Sequence, residues 1–203
     1  MPAKFKVTVL VVSTTAAVFG VFSGSVRAQN LLTNPSFEGP AQTTNGNHIN
    51  IAPTGWGIDR GQFNLVREAT AFDGQQFLDL TGPTGAAGTY ITQNFTLTSP
   101  SAVTFSGYFS GRDAGTGGGN VAIFSGGTQI AAAPRVTTTG TNTPWAQSIA
   151  TTGGLAAGTY QFRAFIDDPA NADLVSVTIV PEPAALSLLG LGGLALLRRR
   201  RRA

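Results

Sequence analysis

The 203-residue sequence predicts an all-β body, a sandwich of two antiparallel sheets, set between two apolar end segments. Three observations support this. Short runs rich in Val, Ile, Phe, Tyr and Thr recur about every 10 to 15 residues, between clusters of Gly, Pro, Asn, Asp and Ser. Several runs alternate apolar and polar residues with period two, which gives a strand one dry face and one wet face. No window of about 11 residues in the body carries the spacing of an amphipathic helix.

In chain order, the predicted strands are 63–67, 76–80, 90–98, 102–110, 120–124, 145–150, 159–166 and 174–179. The fourth places Val103, Phe105 and Phe109 on one face across Gly107. The seventh sets Tyr160, Phe162, Ala164 and Ile166 against Gln161, Arg163 and Asp167, and the last aligns Val175, Val177 and Ile179. Eight or more strands in a body of about 150 residues suit a jelly roll, which closes its edges by pairing two sheets. The tract 115–119 (GTGGG) lacks the Lys-Ser/Thr of a phosphate loop and reads as a flexible hairpin tip. The Thr- and Asn-rich loops 43–54 and 131–143 are where a ligand face is expected.

The ends follow a different logic. Lys4 and Lys6 precede an apolar stretch, 7–22, and Val26-Arg27-Ala28 offers small residues at the third and first positions before a cut. Residues 1–28 therefore read as a Sec signal peptide cleaved between Ala28 and Gln29, with an uncleaved anchor as the alternative. At the other end, Pro181-Glu182-Pro183 forbids both a helix interior and a central strand. The uncharged run 184–197 follows, long enough for about 21 Å of helix against a hydrocarbon core of roughly 30 Å. Arg198, Arg199, Arg200, Arg201 and Arg202 then form a cationic block that stays at the cytoplasmic edge of a bilayer. A buried core helix would not end in such a block. The chain thus divides into 1–28, a sandwich domain 29–179, and a tail 180–203.

With the ends set aside, the charge changes sign. The whole chain is +3, but the body keeps five basic residues against nine acidic ones, a net −4. Such a body offers no basic face to nucleic acid. With no cysteine, it also has no disulfide.

The tail of proline motif, short transmembrane helix and arginine cluster resembles the PEP-CTERM sorting signal of Gram-negative bacteria. That resemblance implies export through the Sec machinery and transient anchoring in the inner membrane. It also implies cutting by an exosortase near Pro181-Glu182-Pro183, with delivery to the cell surface or extracellular matrix. In the body, NLLTNPSFE (30–38), Gly55-Trp56, DGQQFLDL (73–80) and Tyr90-Ile91 with Gln93 occur in that order. This order resembles galactose-binding-like and carbohydrate-binding-module-like jelly rolls. It implies a polysaccharide partner, expected to be the producer's own biofilm exopolysaccharide, and a structural Ca²⁺ held by Glu38 and Asp173. Backbone carbonyls would complete its six to eight oxygens. Exposed rim charges are the alternative reading of both residues.

Little chemistry beyond binding is expected. His48 is the single histidine, placed by sequence in a polar loop, so an HExxH zinc site is impossible, and no GxSxG elbow occurs. The body therefore reads as non-enzymatic; an enzyme would need two carboxylates about 5–10 Å apart in a cleft. A pyranose stacks its C–H face on an aromatic ring while amides and carboxylates bind its hydroxyl rim. Trp56, Tyr90, Tyr108 and Trp145 are the candidate platforms, each with a core position as its alternative. The favoured function is polysaccharide binding by an exported surface protein. The alternative is a structural or adhesive protein without a sugar pocket.

Overall fold

The computed structural model describes residues 29–49, 51–60, 63–79, 89–112, 116–139, 144–167 and 170–180. These form twelve strands, with no helix among the described residues. The strands are β1 (Gly46–Ile49), β2 (Gly57–Arg60), β3 (Asn64–Arg67), β4 (Gln76–Asp79), β5 (Thr89–Leu97) and β6 (Val103–Gly111). They continue with β7 (Thr116–Ser125), β8 (Thr128–Ala132), β9 (Val136–Thr139), β10 (Ala146–Thr151), β11 (Gly158–Asp167) and β12 (Ala170–Ile179). One sheet runs β1-β3-β4-β12-β6-β10, and the other runs β2-β5-β11-β7-β8 with β9 also pairing β7. Every pairing is antiparallel, so the body is the two-sheet sandwich its alternation predicts.

The period-two pattern decides which residues enter the core. On β11, Tyr160, Phe162, Ala164 and Ile166 point inward and meet Val103, Phe105 and Phe109 of β6 and Val175 and Val177 of β12. Trp56 joins them, its ring edge-on to Phe37 at 5.4 Å and to Phe162 at 6.0 Å. Core residues of both sheets lie between Leu32 and Val177, so the segment from Gln29 to Val180 contains the whole described core.

The opening string works as a clasp. Asn34 Oδ1 accepts Gly39 N–H, while its amide donates to Gly39 O and Thr54 O. Pro35 O accepts Val175 N–H where β12 breaks register between Asp173 and Ser176. Phe37 is fully buried, and Glu38 turns toward the β3–β4 loop. Asn34, Pro35, Phe37 and Glu38 of NPSFE are thereby each used in closing the sandwich.

All eight predicted strands are present, and four more join them. His48 lies on β1 rather than in a loop, with Nε2 2.9 Å from Thr44 O. The tract expected to be a hairpin tip is instead strand: residues 116–119 open β7 and pair with β9. The glycines there admit close neighbours. A Cβ on Gly118 would collide with Val136 O, and one on Gly119 would stand 2.5 Å from Phe109 Cδ1. The loops 43–54 and 131–143 are likewise partly strand, holding β1 and β9. The leader 1–28 with Ala28, and the tail residues Pro181, Glu182, Pro183 and Arg198 to Arg202, lie outside the described residues.

Candidate functional site: an aromatic platform on one sheet

The loop between β3 and β4, residues 68–75, is held at several points. Asp173 Oδ2 accepts the N–H groups of Phe72 at 2.8 Å and Asp73 at 3.0 Å. Glu38 Oε1 accepts those of Gln75 and Gln76, both at 2.7 Å. Trp145 Nε1 donates to Thr70 O at 3.0 Å. Gly74, with φ of 71°, leaves the space in which the Glu38 carboxylate sits. A loop gripped this way presents its side chains in a fixed geometry.

It presents Phe72. This ring is 41% exposed and stacks on Tyr108 with centroids 3.7 Å apart and planes 17° apart. Trp145 stands beside it at 6.3 Å and packs edge-on against Phe77 at 5.8 Å. Tyr108 lies on the outer face of β6, where it registers with Asp173 of β12 and Gln147 of β10. Two residues along, a row crosses four strands on the same face: Ser110, Asn171, Asp79 and Asn64. Arg112 Nη1 pairs with Asp79 Oδ2 at 3.0 Å, and Asn64 Nδ2 reaches the same oxygen at 3.5 Å. Aromatic faces thus lie next to amides and an ion pair.

Asp173 is the electrostatically unusual group. Burial raises its pKa to about 7, although the N–H groups of Asp73, Leu174 and Phe72 pull it back down; the neighbouring Asp73 charge adds to the rise. Among the described residues, the non-glycine positions at positive φ are Asn34 (48°), Phe37 (56°) and Leu174 (37°). Two of them adjoin the two loop-gripping carboxylates, and such backbone conformations persist only where surrounding contacts enforce them.

The structure separates the four aromatic candidates. Tyr108 and Trp145 come together on one outer face, as part of the platform. Trp56 is a core residue, 6% exposed, with Nε1 bonded to Asn34 O at 3.0 Å, so its ring is no surface platform. Tyr90 lies on the other sheet, 5.3 Å from Phe165. Phe72 was not among the sequence candidates. Its only sequence signal is a lone aromatic in a polar loop, immediately before the Asp73-Gly74 turn. Asp173 is fully buried and Glu38 is half-buried, and both turn onto the same loop.

No curated protein matches this chain in sequence. Its fold is shared with the carbohydrate-binding module TmCBM61, solved in complex with β-1,4-galactotriose, at a TM-score of 0.52 and 14% identity. The match covers 75% of this chain and 100% of that one. The α-L-arabinofuranosidase MgGH51, solved with arabinose, gives a TM-score of 0.53 at 16% identity, over 74% of this chain and 26% of that enzyme. These likenesses establish the jelly-roll architecture. Residues 180–202 match the PEP-CTERM protein-sorting motif, and the chain therefore carries the sorting motif of an exported protein processed at the cell envelope.

Proposed function

We propose that this is an exported, non-enzymatic polysaccharide-binding protein whose sugar site is the Phe72–Tyr108–Trp145 platform. The sorting motif supports delivery by exosortase processing to the surface or matrix of a Gram-negative cell, where the producer's exopolysaccharide is the ligand at hand. The observation that carries the reading is the convergence of three rings from a clamped loop, β6 and the approach to β10 onto one sheet face. Such rings stack on sugar C–H faces, while the exposed Gln147 and the partly exposed Arg112, held from below by the buried Asp79, are placed to meet hydroxyls. The fold likeness to a module solved with a galactotriose agrees with this reading. Two carboxylates of this face are already committed, Asp79 to Arg112 and Asp173 to the loop, which agrees with non-enzymatic action.

A structural Ca²⁺ at Glu38 and Asp173 belongs to the same proposal. Two hard-oxygen donors converge on one loop. Backbone carbonyls would have to complete the shell of a divalent ion there, since no three acidic or histidine side chains cluster among the described residues.

The test is retention of the segment from Gln29 to Val180 on the producer's exopolysaccharide and a panel of neutral glycans. Retention that is abolished by Phe72→Ala/Trp145→Ala in a folded domain supports the assignment. A folded wild-type domain that binds none of them would leave the structural or adhesive alternative.

A further inference from the structure

The second sheet has an outer face of its own, built on different chemistry. A row crosses its five strands in register: Gly57, Thr92, Arg163, Ala122 and Ala132. Apart from Arg163, these side chains are small or absent, and Thr92 and Ala122 are buried beneath their larger neighbours, so the row is a floor with one cation at its centre. Two residues along each strand the walls rise. Asn94, Gln161 and Phe124 form one, and Tyr90 and Phe165 form the other.

Arg163 is held for a purpose its neighbours do not use. Its guanidinium lies over the Phe124 ring at 3.9 Å and within 5.1 Å of the Tyr90 ring. Its Nε donates to Gln161 Oε1 at 2.6 Å. Ring contact and this bond fix the plane of the group, whose two terminal nitrogens form the fork that binds a carboxylate in two places. Among the described residues, no carboxylate pairs with it. In a body of net charge −4, an oriented arginine among aromatic rings, with no carboxylate partner among the described residues, is not ordinary solubilising charge. Beside it, Asn94, Phe124, Thr159, Gln161 and the Gly126-Gly127 turn enclose a shallow depression of about 330 Å³. That is at the small end of ligand sites, which run from about 300 to 1,000 Å³.

We propose that this face is a second binding site, for acidic polysaccharide, in which Arg163 receives the carboxylate of a uronic acid. The sugar ring lies in the depression over the Arg163–Phe124 pair, and Asn94, Gln161 and Thr159 bind its hydroxyls. The site does not depend on the Phe72 platform, and the two assignments fail separately.

The experiment titrates the segment from Gln29 to Val180 with polygalacturonate, alginate and polyglucuronate, using galactan as a neutral control. At least one uronate polymer is expected to bind, more weakly at high salt. Arg163→Gln should reduce that affinity about tenfold or more, the usual cost of losing a hydrogen bond to a charged group. Asn94→Ala, at an exposed position, should weaken it severalfold and decides the matter if Arg163→Gln fails to fold. Phe72→Ala/Trp145→Ala should leave uronate binding unchanged. A folded wild-type domain that binds no uronate polymer overturns the proposal, as does unchanged binding in Arg163→Gln or, failing that variant, in Asn94→Ala.

Discussion

Replacing Phe72 by Ala tests the platform most directly, because this ring offers exposed aromatic area while its backbone is anchored independently. A phenylalanine buries on the order of 200 Å² when fully covered. At 41% exposed, Phe72 retains about 80 Å² of that for a ligand. At about 25 cal/mol per Å², covering this area contributes about 2 kcal/mol, or roughly 30-fold in Kd. The fold should tolerate the change: Asp173 holds the Phe72 N–H, which Ala keeps. The lost stack on Tyr108 should cost about 0.5–1.5 kcal/mol of stability. Isothermal titration against the polysaccharide that best retains the wild type measures the effect, and urea unfolding measures the stability. Ile130→Ala is the control. That residue exposes a comparable 43% but sits on β8 of the other sheet, so no loss is expected. An affinity unchanged by Phe72→Ala, or reduced equally by Ile130→Ala, would refute the reasoning.

Asp173 predicts a pH dependence. In chelator, its folded pKa of about 7 lies above the ordinary 3.8, so its contribution to stability is full below about pH 4 and is lost as pH rises through 7. The loss should approach 4 kcal/mol at most, and Asp173→Asn should flatten the urea-unfolding profile between those limits; equal slopes in both proteins would contradict it. Calcium at pH 8 should reverse the loss, by about 2.7 kcal/mol at a hundredfold excess over Kd, and a melting temperature indifferent to calcium would remove the metal. Trp56→Ala should cost about 3–5 kcal/mol by emptying its core position while leaving affinity intact where the domain stays folded, as paired melting and titration would show. Gly119→Ala should destabilise by about 1–3 kcal/mol or more, since its Cβ would stand 2.5 Å from Phe109 Cδ1 and 2.7 Å from Phe165 O.

Why some elements were legible in the sequence and others were not comes down to where the determining contacts lie. β6, β11 and β12 carry an apolar stripe of their own, so alternation alone finds them. β9 reads VTTT and opens against glycines 117–119, so neither partner has a stripe; their pairing becomes visible only when Val136 and Gly118 are brought together. Trp56 shows the same limit at a single residue. Flanking glycines suggest an exposed ring, yet Phe37 and Phe162 arrive from distant parts of the chain to cover it. Phe72 is the converse: local sequence gives it a polar loop, and only Asp173, Glu38 and Trp145 make that loop a rigid mount. The chemistry-bearing residue types were readable, but their grouping onto faces was decided by strand register.

Because the core lies between the sheets, a sandwich leaves two outer faces that can evolve apart. Here one bears the Phe72 platform beside a neutralised ion pair, and the other bears Arg163 with no carboxylate partner among the described residues. The sheets of a sandwich pack about 10 Å apart, so two polymers held on opposite faces do not compete for space. Once one is bound, the other face meets any second chain entangled with it at high effective concentration. A mixture of neutral and uronate polysaccharides should therefore thicken when the folded domain is added. Either Phe72→Ala/Trp145→Ala or Arg163→Gln should abolish the thickening, although each variant still binds one polymer. Viscosity measured on the mixture and on each polymer alone separates linking from binding. A mixture thickened equally by wild type and by both single-face variants would show that the two faces act without reference to each other.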